Sequence, residues 1–267
     1  MSISTILGFL AGLLMIVVSV TMATDRYAAF FHVHSLMIVV GGTLASAFIS
    51  YEPRYVFLAI KLLQSIFFAP KISRDVLMGE VGRIIRWGYV VQKGGLQGLE
   101  SDSKKIKGQD PFLGFGVDLV ISGYTGQEVR ETMQNMFDSA FHRSLVPAEI
   151  LRNMAGTAPA FGLIGTLIGM VIMLDNMSGD PSQLGSGLAV ALTATLYAVV
   201  AARLILLPCA SKIQQREEMV HFRNEIVGEG LALLAERKNP RYIQDRLNSF
   251  LDPKIHFNIE KHMKDAR

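Results

Sequence analysis

Four long segments without a charged residue constrain the fold of this chain more than any other feature of its sequence. Residues 1–24, 27–51, 153–174 and 181–202 contain no Asp, Glu, Lys or Arg and are rich in Leu, Ile, Val, Met, Ala and Gly. Roughly 20 apolar residues let an α-helix cross the hydrocarbon core of a bilayer. The sequence therefore predicts four transmembrane helices. A cleavable signal peptide is the alternative for the first segment, but no basic residue precedes its apolar stretch.

The composition excludes several classes of protein. Charged residues make up 18% of the 267 residues and hydrophobic residues 50%, against about 25% charged in soluble domains. The single cysteine, Cys209, excludes a disulfide framework and a cysteine-cluster metal site. The net charge is +3 and no basic cluster is longer than Lys104-Lys105, so we expect no binding to nucleic acid.

The basic residues are unevenly distributed, and this predicts the orientation in the membrane. Of the 26 Lys and Arg residues, 12 lie in residues 52–150 and 11 lie from Lys212 onward, whereas only Arg26 lies between the first two uncharged segments. Because basic loops remain on the cytoplasmic side, we expect both termini and the long middle segment to be cytoplasmic.

The sequence thus predicts an all-α membrane protein with a helical cytoplasmic domain inserted between spans two and three. Helical spacing of apolar residues occurs in residues 73–91 and 126–142, and no strand pattern is present. The predicted segments are 1–51 with spans one and two and a short periplasmic turn near 24–28, 52–152 as the cytoplasmic domain, 153–210 with spans three and four, and 211–267 as cytoplasmic C-terminal helices.

Span three carries small and polar residues on part of its surface. Gly162, Gly165 and Gly169 remove side chains and so allow another helix to approach closely. Pro159 leaves a backbone carbonyl without its helical hydrogen bond. Thr166 lies seven residues later, which places it on nearly the same face. We expect Pro159, Gly162 and Thr166 to form a polar lining.

Span four carries two threonines and ends near a proline. Thr193 and Thr195 are two residues apart, or roughly 200° around a helix, so only one of them can face a lining shared with span three. Hydrogen bonding of each hydroxyl to its own helix is the alternative role. Pro208 lies near the end of this span.

The sequence shows no catalytic motif. It contains no Walker, G-x-G-x-x-G, G-x-S-x-G or H-E-x-x-H sequence, so we expect neither an enzyme nor a bound cofactor. His32 and His34 are the only histidines within the uncharged segments. We interpret them as interfacial polar residues, with a metal or proton site as the alternative. If ions cross along the threonines, a partner must supply the carboxylate.

Several motifs resemble those of the MotA/PomA family of flagellar stator subunits, within the wider MotA/TolQ/ExbB superfamily. They are PAFGLIGT at residues 159–166, ALTATLY at 191–197, VVGG at 39–42, KGGL at 93–96 and NPR at 239–241, in the family's order. Nearly the whole chain is covered. Four spans favour the MotA branch, because TolQ and ExbB proteins have three.

The resemblance implies a multi-pass protein of the bacterial inner membrane that forms a pentamer around two copies of a MotB/PomB-like single-span subunit. That partner carries the ion-accepting aspartate and a peptidoglycan-binding domain. Ion flow then rotates the ring, and cytosolic charges push on the rotor protein FliG. Pro159 and Pro208 match the family's essential prolines. The rotor-facing charges fall near Gln92, Lys93 and Glu100, although Gln92 stands where arginine is usual; a solvated helix surface is the alternative for Lys93 and Glu100.

The resemblance also bears on the coupling ion. A threonine at the position of Thr166 is similar to sodium-driven members, whereas proton-driven ones usually carry alanine; threonine at the position of Thr195 occurs in both. Hard cations take oxygen ligands, which these hydroxyls and the carbonyl freed by Pro159 would offer. We expect transient sodium near Thr166 and Thr195, with no permanent metal. Proton coupling is the alternative, because His32 replaces an acidic residue of some sodium-type members.

The sequence leaves two other functions open. A TolQ/ExbB-like, ion-driven subunit for force transmission in the envelope would share the ion path but would not contact FliG. A membrane scaffold or signalling protein would conduct nothing.

Overall fold

The computed structural model describes residues 3–25, 27–66, 68, 72, 74–107, 110–175 and 181–257. Within these residues the secondary structure is helical. The α-helices are α1 (Ile3–Ala23), α2 (Val33–Ser50), α3 (Pro53–Ser65), α4 (Arg74–Lys107), α5 (Pro111–Ile121), α6 (Gly126–Asp175), α7 (Pro181–Val200), α8 (Leu207–Ala235) and α9 (Pro240–Asn248). A π-helix, Ala201–Leu206, joins α7 to α8, and short 3₁₀ helices occupy Tyr27–Phe30 and Pro253–Ile255.

Four helices are long and apolar enough to span a membrane, as predicted. They are Thr5–Ala23 in α1, Val33–Ser50 in α2, the apolar part of Gly126–Asp175, and the apolar part of Leu184–Ala235. The all-α fold with four spans is therefore confirmed. The predicted link around Arg26 and the link at residues 176–180 contain residues outside the described ranges.

The chain forms two compact units. The membrane unit consists of Met1–Ala69 and Leu145–Gln215, and the polar unit of Pro70–Ser144 and Arg216–Arg267. These units differ from the predicted segments 52–152 and 211–267. The C-terminal helices belong with the middle segment because they share one apolar core, in which Trp87, Leu113 and Leu231 are almost fully buried.

The membrane unit has a helix that the uncharged segments did not indicate. Helix α3 begins with Pro53, whose missing N–H is tolerated in a first helical turn. Val56 and Ala59 on α3 are fully buried and pack with Ile150 of α6 and Ala210 of α8. Although Arg54 and Lys61 interrupt its sequence, the buried face of α3 thus completes the core of the membrane unit.

In the polar unit, α4 reverses direction at a glycine. Gly95 has φ 64° and ψ −164°, a conformation that glycine adopts without steric cost. The second arm of α4 returns along the first, since a Cβ on Gly98 would lie 2.9 Å from Val90 and the indole N–H of Trp87 donates to Asp102 at 2.8 Å. Gly94 and Gly95 are the sequence signal for this reversal.

A buried arginine joins three helices of the polar unit. The guanidinium of Arg223 on α8 donates to Glu80 of α4 at 2.6 Å and also to Asp110. Asp110 is the N-cap of α5 and accepts from the backbone N–H of Leu113 at 3.1 Å. Because both acids are paired, their burial carries no unpaired charge.

Candidate ion-path site

Thr166 of span three and Thr195 of span four meet on the surface of the chain. Their hydroxyl oxygens lie 2.6 Å apart. The side chains of Leu163 and Leu167 on α6 and of Leu192 on α7 lie along the same two helices and are more than half exposed. A polar pair among exposed leucines does not suit lipid, where polar groups turn to protein or water. The pair is therefore suited to face protein.

Two backbone carbonyls complete a group of four oxygen atoms. The Thr166 hydroxyl lies 3.1 Å from the carbonyl oxygen of Gly162 and 3.2 Å from that of Ala191, and the Thr195 hydroxyl lies 3.5 Å from the oxygen of Gly162. Hydroxyl and carbonyl oxygens are ligands of hard cations. The group contains no carboxylate, so it can bind or pass a cation but cannot itself accept a proton at neutral pH.

The glycines of span three set the distance between the two helices. A Cβ on Gly162 would lie 2.5 Å from the Cβ of Ala198, and one on Gly165 would lie 2.5 Å from that of Ala194. The close packing predicted from these glycines is thus present, and its partner is span four of the same chain. Gly162 contributes its carbonyl oxygen to the site, while its α-carbon faces α7.

Pro159 lies within α6, which continues through it. The carbonyl that loses its hydrogen bond belongs to Ala155, four residues earlier. At 1.5 Å per residue, Ala155 lies about 16 Å from Thr166 along the helix. The expectation that this carbonyl lies beside the threonines is therefore wrong; the carbonyls of Gly162 and Ala191 take that place.

Thr193 faces away from this site, as the helical arithmetic predicted. Its hydroxyl lies 3.1 Å from that of Ser35 on α2 and donates to the carbonyl of Ala189 at 2.8 Å. Ser35 is fully buried and also donates to Val190. Thr193 therefore holds α7 to α2, and of the two threonines of span four only Thr195 joins the oxygen group.

The end of span four has a wider helical turn than sequence reasoning anticipated. In the π-helix before Pro208, the N–H of Leu207 donates to the carbonyl of Ala202, five residues earlier. Pro208 has no N–H, and its ring crowds the preceding turn. A π turn accommodates this, and such turns are frequent at functional sites. In the sequence, Pro208 was the signal that could have indicated this wider turn.

His32 and His34 lie at the start of α2, outside the oxygen group. His32 is the N-cap of α2, and its backbone N–H donates to the hydroxyl of Tyr197 at 3.1 Å. Tyr197 in turn donates to the carbonyl of Phe30. His34 is exposed. In the described part of the chain, His, Cys, Asp and Glu residues form no group that could hold a metal ion.

The residues considered for the rotor contact are all exposed on α4. Gln92 and Lys93 lie on its first arm, and Glu100 lies on the second, beyond the reversal at Gly95. Gln92 also lines a recess with the turn between α8 and α9. Lys93 and Glu100 are not part of that recess.

The fold and the site define a helical membrane protein in which two adjacent spans present an oxygen-lined polar site. Residues 104–226 match the model of the MotA/TolQ/ExbB proton channel family. The chain is 31% identical over 248 residues to the "Uncharacterized protein YtxD" of Bacillus subtilis (strain 168), with 92% of this chain and 89% of the relative covered. It is 30% identical to Motility protein A of Aquifex aeolicus (91% and 94% covered) and 27% identical to Chemotaxis protein PomA of Vibrio alginolyticus (94% and 96%).

Two solved structures share the fold. The C. jejuni MotAB structure aligns with a TM-score of 0.85 at 24% identity, covering 95% of this chain and 97% of that chain. The flagellar MotAB stator complex from Bacillus subtilis aligns with a TM-score of 0.83 at 20% identity. This chain belongs to the MotA/TolQ/ExbB proton channel family, in its MotA/PomA branch.

Proposed function

We propose that this chain is the channel-forming subunit of a flagellar stator, which converts inward ion flow into rotation of a ring that drives the rotor. The full-length similarity to Motility protein A and PomA carries this proposal. The position of Thr166 and Thr195 on the exposed surface of spans three and four supports it. No feature favours the TolQ/ExbB-like envelope function or the scaffold.

The coupling ion we propose is sodium. A sodium ion must lose much of its hydration shell in a narrow passage, and replacement oxygens must compensate for that loss. The two hydroxyls and the carbonyls of Gly162 and Ala191 are grouped closely enough to do so. A proton would need no such group of oxygen ligands, only a titrating carboxylate and a water path.

The carboxylate comes, in this proposal, from a MotB/PomB-like subunit with one span. Residues 153–174 and 181–202 contain no Asp or Glu, so spans three and four cannot provide it. The two solved structures described above are MotAB structures. The exposed leucines on either side of the threonine pair offer an apolar surface for such a helix.

We further propose a 5:2 complex in the bacterial inner membrane, with both termini cytoplasmic and FliG as the rotor partner. A head-to-tail interface whose rotation closes produces a ring, and the basic residues set the orientation. A stable monomer in gentle detergent would contradict the ring.

The function is tested by complementation. The chain and its single-span partner are expressed in a motile bacterium that lacks its own stator but retains the matching rotor. Restored swimming that requires both subunits is expected. A chain that assembles with its partner in the membrane but restores neither swimming nor ion conduction would refute the proposed function.

A further inference from the structure

The C-terminus of α8 carries an arginine where the backbone favours glycine. Arg237 has a φ of 52° and is the only non-glycine residue with a positive φ in the described part of the chain. Its N–H donates to Leu234 at 3.0 Å, and that of Lys238 donates to Leu233 at 3.1 Å, as in a Schellman motif. Glycine is usual at this position, and an L-residue costs roughly 1 kcal/mol there. The turn itself therefore gives no reason for an arginine.

The Arg237 side chain has no polar partner in the described part of the polar unit. It is exposed, and among the described residues it forms no hydrogen bond or ion pair. The carboxylate of the adjacent Glu236 is paired with other cations: its oxygens lie 3.6 Å from Nη2 of Arg130 and 3.5 Å from Nζ of Lys238. The guanidinium is thus a free cation held on a strained turn, and such strain persists where function retains it.

Arg237 lines a recess that contains donors but no acid. The recess has a volume of about 260 Å³, and its polar lining is Gln92, Arg237, Lys238 and Asn239. Helix α9 packs closely on α4 beneath it, since a Cβ on Gly88 would lie 3.1 Å from Ile243. The polar side chains are therefore presented by firmly packed helices.

The backbone at this recess does not suit a phosphate. Phosphates at helix N-termini are held by free backbone N–H groups. Helix α9 begins with Pro240, which has no N–H, and the N–H of Arg241 already donates to the side chain of Asn239 at 2.9 Å. The first two positions of α9 thus offer no free N–H to an anion, whereas four side chains of the recess lining carry donors. The planar fork of an arginine fits a carboxylate in this way.

We infer that the recess binds an acidic side chain of the rotor protein, with Arg237 as the principal cation and Lys238 and Gln92 beside it. This inference rests on the proposed stator function. The positive charge that meets the rotor then comes from the end of α8, so position 92 of α4 needs no charge of its own.

The test uses the full chain with its single-span partner in the complementation strain. Arg237→Glu reverses the charge, and Arg237→Gly removes it while relieving the backbone strain. Arg143→Glu is the matched control, because Arg143 is an exposed arginine of the same unit outside the recess. Swimming rate, channel-dependent growth inhibition and the unfolding temperature of the purified complex are measured for each.

Both Arg237 variants should reduce swimming about twofold or more, because charges at a docking surface govern encounter and specificity. Conduction should be unchanged, the unfolding temperature of Arg237→Gly should not fall, and Arg143→Glu should swim normally. An Asp or Glu to Lys change in the rotor protein should restore swimming to Arg237→Glu.

Normal swimming of both variants, with a working parent chain, would overturn this inference alone. Loss of conduction together with swimming would also overturn it, because Arg237 would then support the fold. A rise in unfolding temperature with inorganic phosphate, seen in the parent but not in Arg237→Gly, would instead indicate a small-anion site and overturn it. A parent chain that neither swims nor conducts would overturn the proposed function and this inference with it.

Discussion

Gly169 of span three lies directly against Ala191 of span four: a Cβ on Gly169 would be 2.7 Å from the backbone nitrogen of Ala191. The carbonyl of that same Ala191 contacts the Thr166 hydroxyl. The packing of the two helices and the geometry of the oxygen group are therefore set by the same few residues.

Gly169→Ala should separate the two helices and disrupt the oxygen group, because the atoms in its way are two backbone atoms and the Cβ of Ala191, none of which can rotate aside. We expect loss of conduction and a lower unfolding temperature. Gly156→Ala is the control on the same helix, since a Cβ there meets nothing within 4 Å. It should be neutral or slightly stabilising. Equal effects of the two changes would contradict this packing.

Arg223→Leu should destabilise the polar unit. It leaves Asp110 without this partner and leaves the buried Glu80 with Arg83 alone, at 2.8 Å. Breaking a buried ion pair on one side costs about 3 kcal/mol. Thermal unfolding of the purified complex measures this, with the exposed Arg86→Leu on α4 as control. An unchanged unfolding temperature for Arg223→Leu would show that the network contributes no stability.

The stability of the polar unit should depend on pH through Glu229. Burial raises the pKa of this carboxyl, but hydrogen bonds from Arg130 at 2.7 Å and Arg246 at 3.1 Å outweigh it, so the pKa lies below its ordinary value of 4.5. The carboxylate therefore contributes stability above about pH 4.5, and this contribution is lost as the pH falls through the lowered pKa.

Glu229→Gln should consequently lower stability by about 2 kcal/mol at neutral pH. The difference in unfolding free energy between Glu229→Gln and the parent should shrink as the pH falls below 4.5. Glu225→Gln, at an exposed position of the same helix, should show no such trend. A difference that stays constant from pH 7 to pH 3 would rule out this origin.

Lys93→Glu and Glu100→Lys test the contact first suggested by the sequence. If either charge meets the rotor, its reversal should reduce swimming partially and the double reversal more, while conduction stays intact, because single charges at a docking rim have modest effects. Channel-dependent growth inhibition measures conduction separately from swimming. If all three variants swim normally, the rotor contact does not involve these residues.

The spans could be predicted because each needs only a long apolar segment. The opposite directions of Thr193 and Thr195 also followed from helical periodicity alone. Helix α3 was missed because Arg54 and Lys61 divide its apolar residues into runs too short to stand out as an uncharged segment. The position of the C-terminal helices was missed because it depends on a core shared by residues far apart in sequence.

The geometry of the candidate site required the structure. Nothing local in the sequence sets the register between spans three and four that brings Thr166 to Thr195. The same register places the carbonyls of Gly162 and Ala191, rather than that of Ala155, beside the threonines. The reversal at Gly95 likewise depends on a contact between Trp87 and Asp102 that joins its two arms.

The proposal that this chain couples sodium flow to rotation is tested most directly by replacing sodium with potassium. Swimming, or channel-dependent growth inhibition, is measured in both media for the parent, Thr166→Ala and Thr157→Ala. Thr157 is a suitable control because, among the described residues, its hydroxyl bonds only within its own helix, to the carbonyl of Met154. The parent and Thr157→Ala should be active in sodium and inactive without it, and Thr166→Ala should be impaired in sodium. Full activity of the parent without sodium, or an unaffected Thr166→Ala, would contradict sodium coupling through this site.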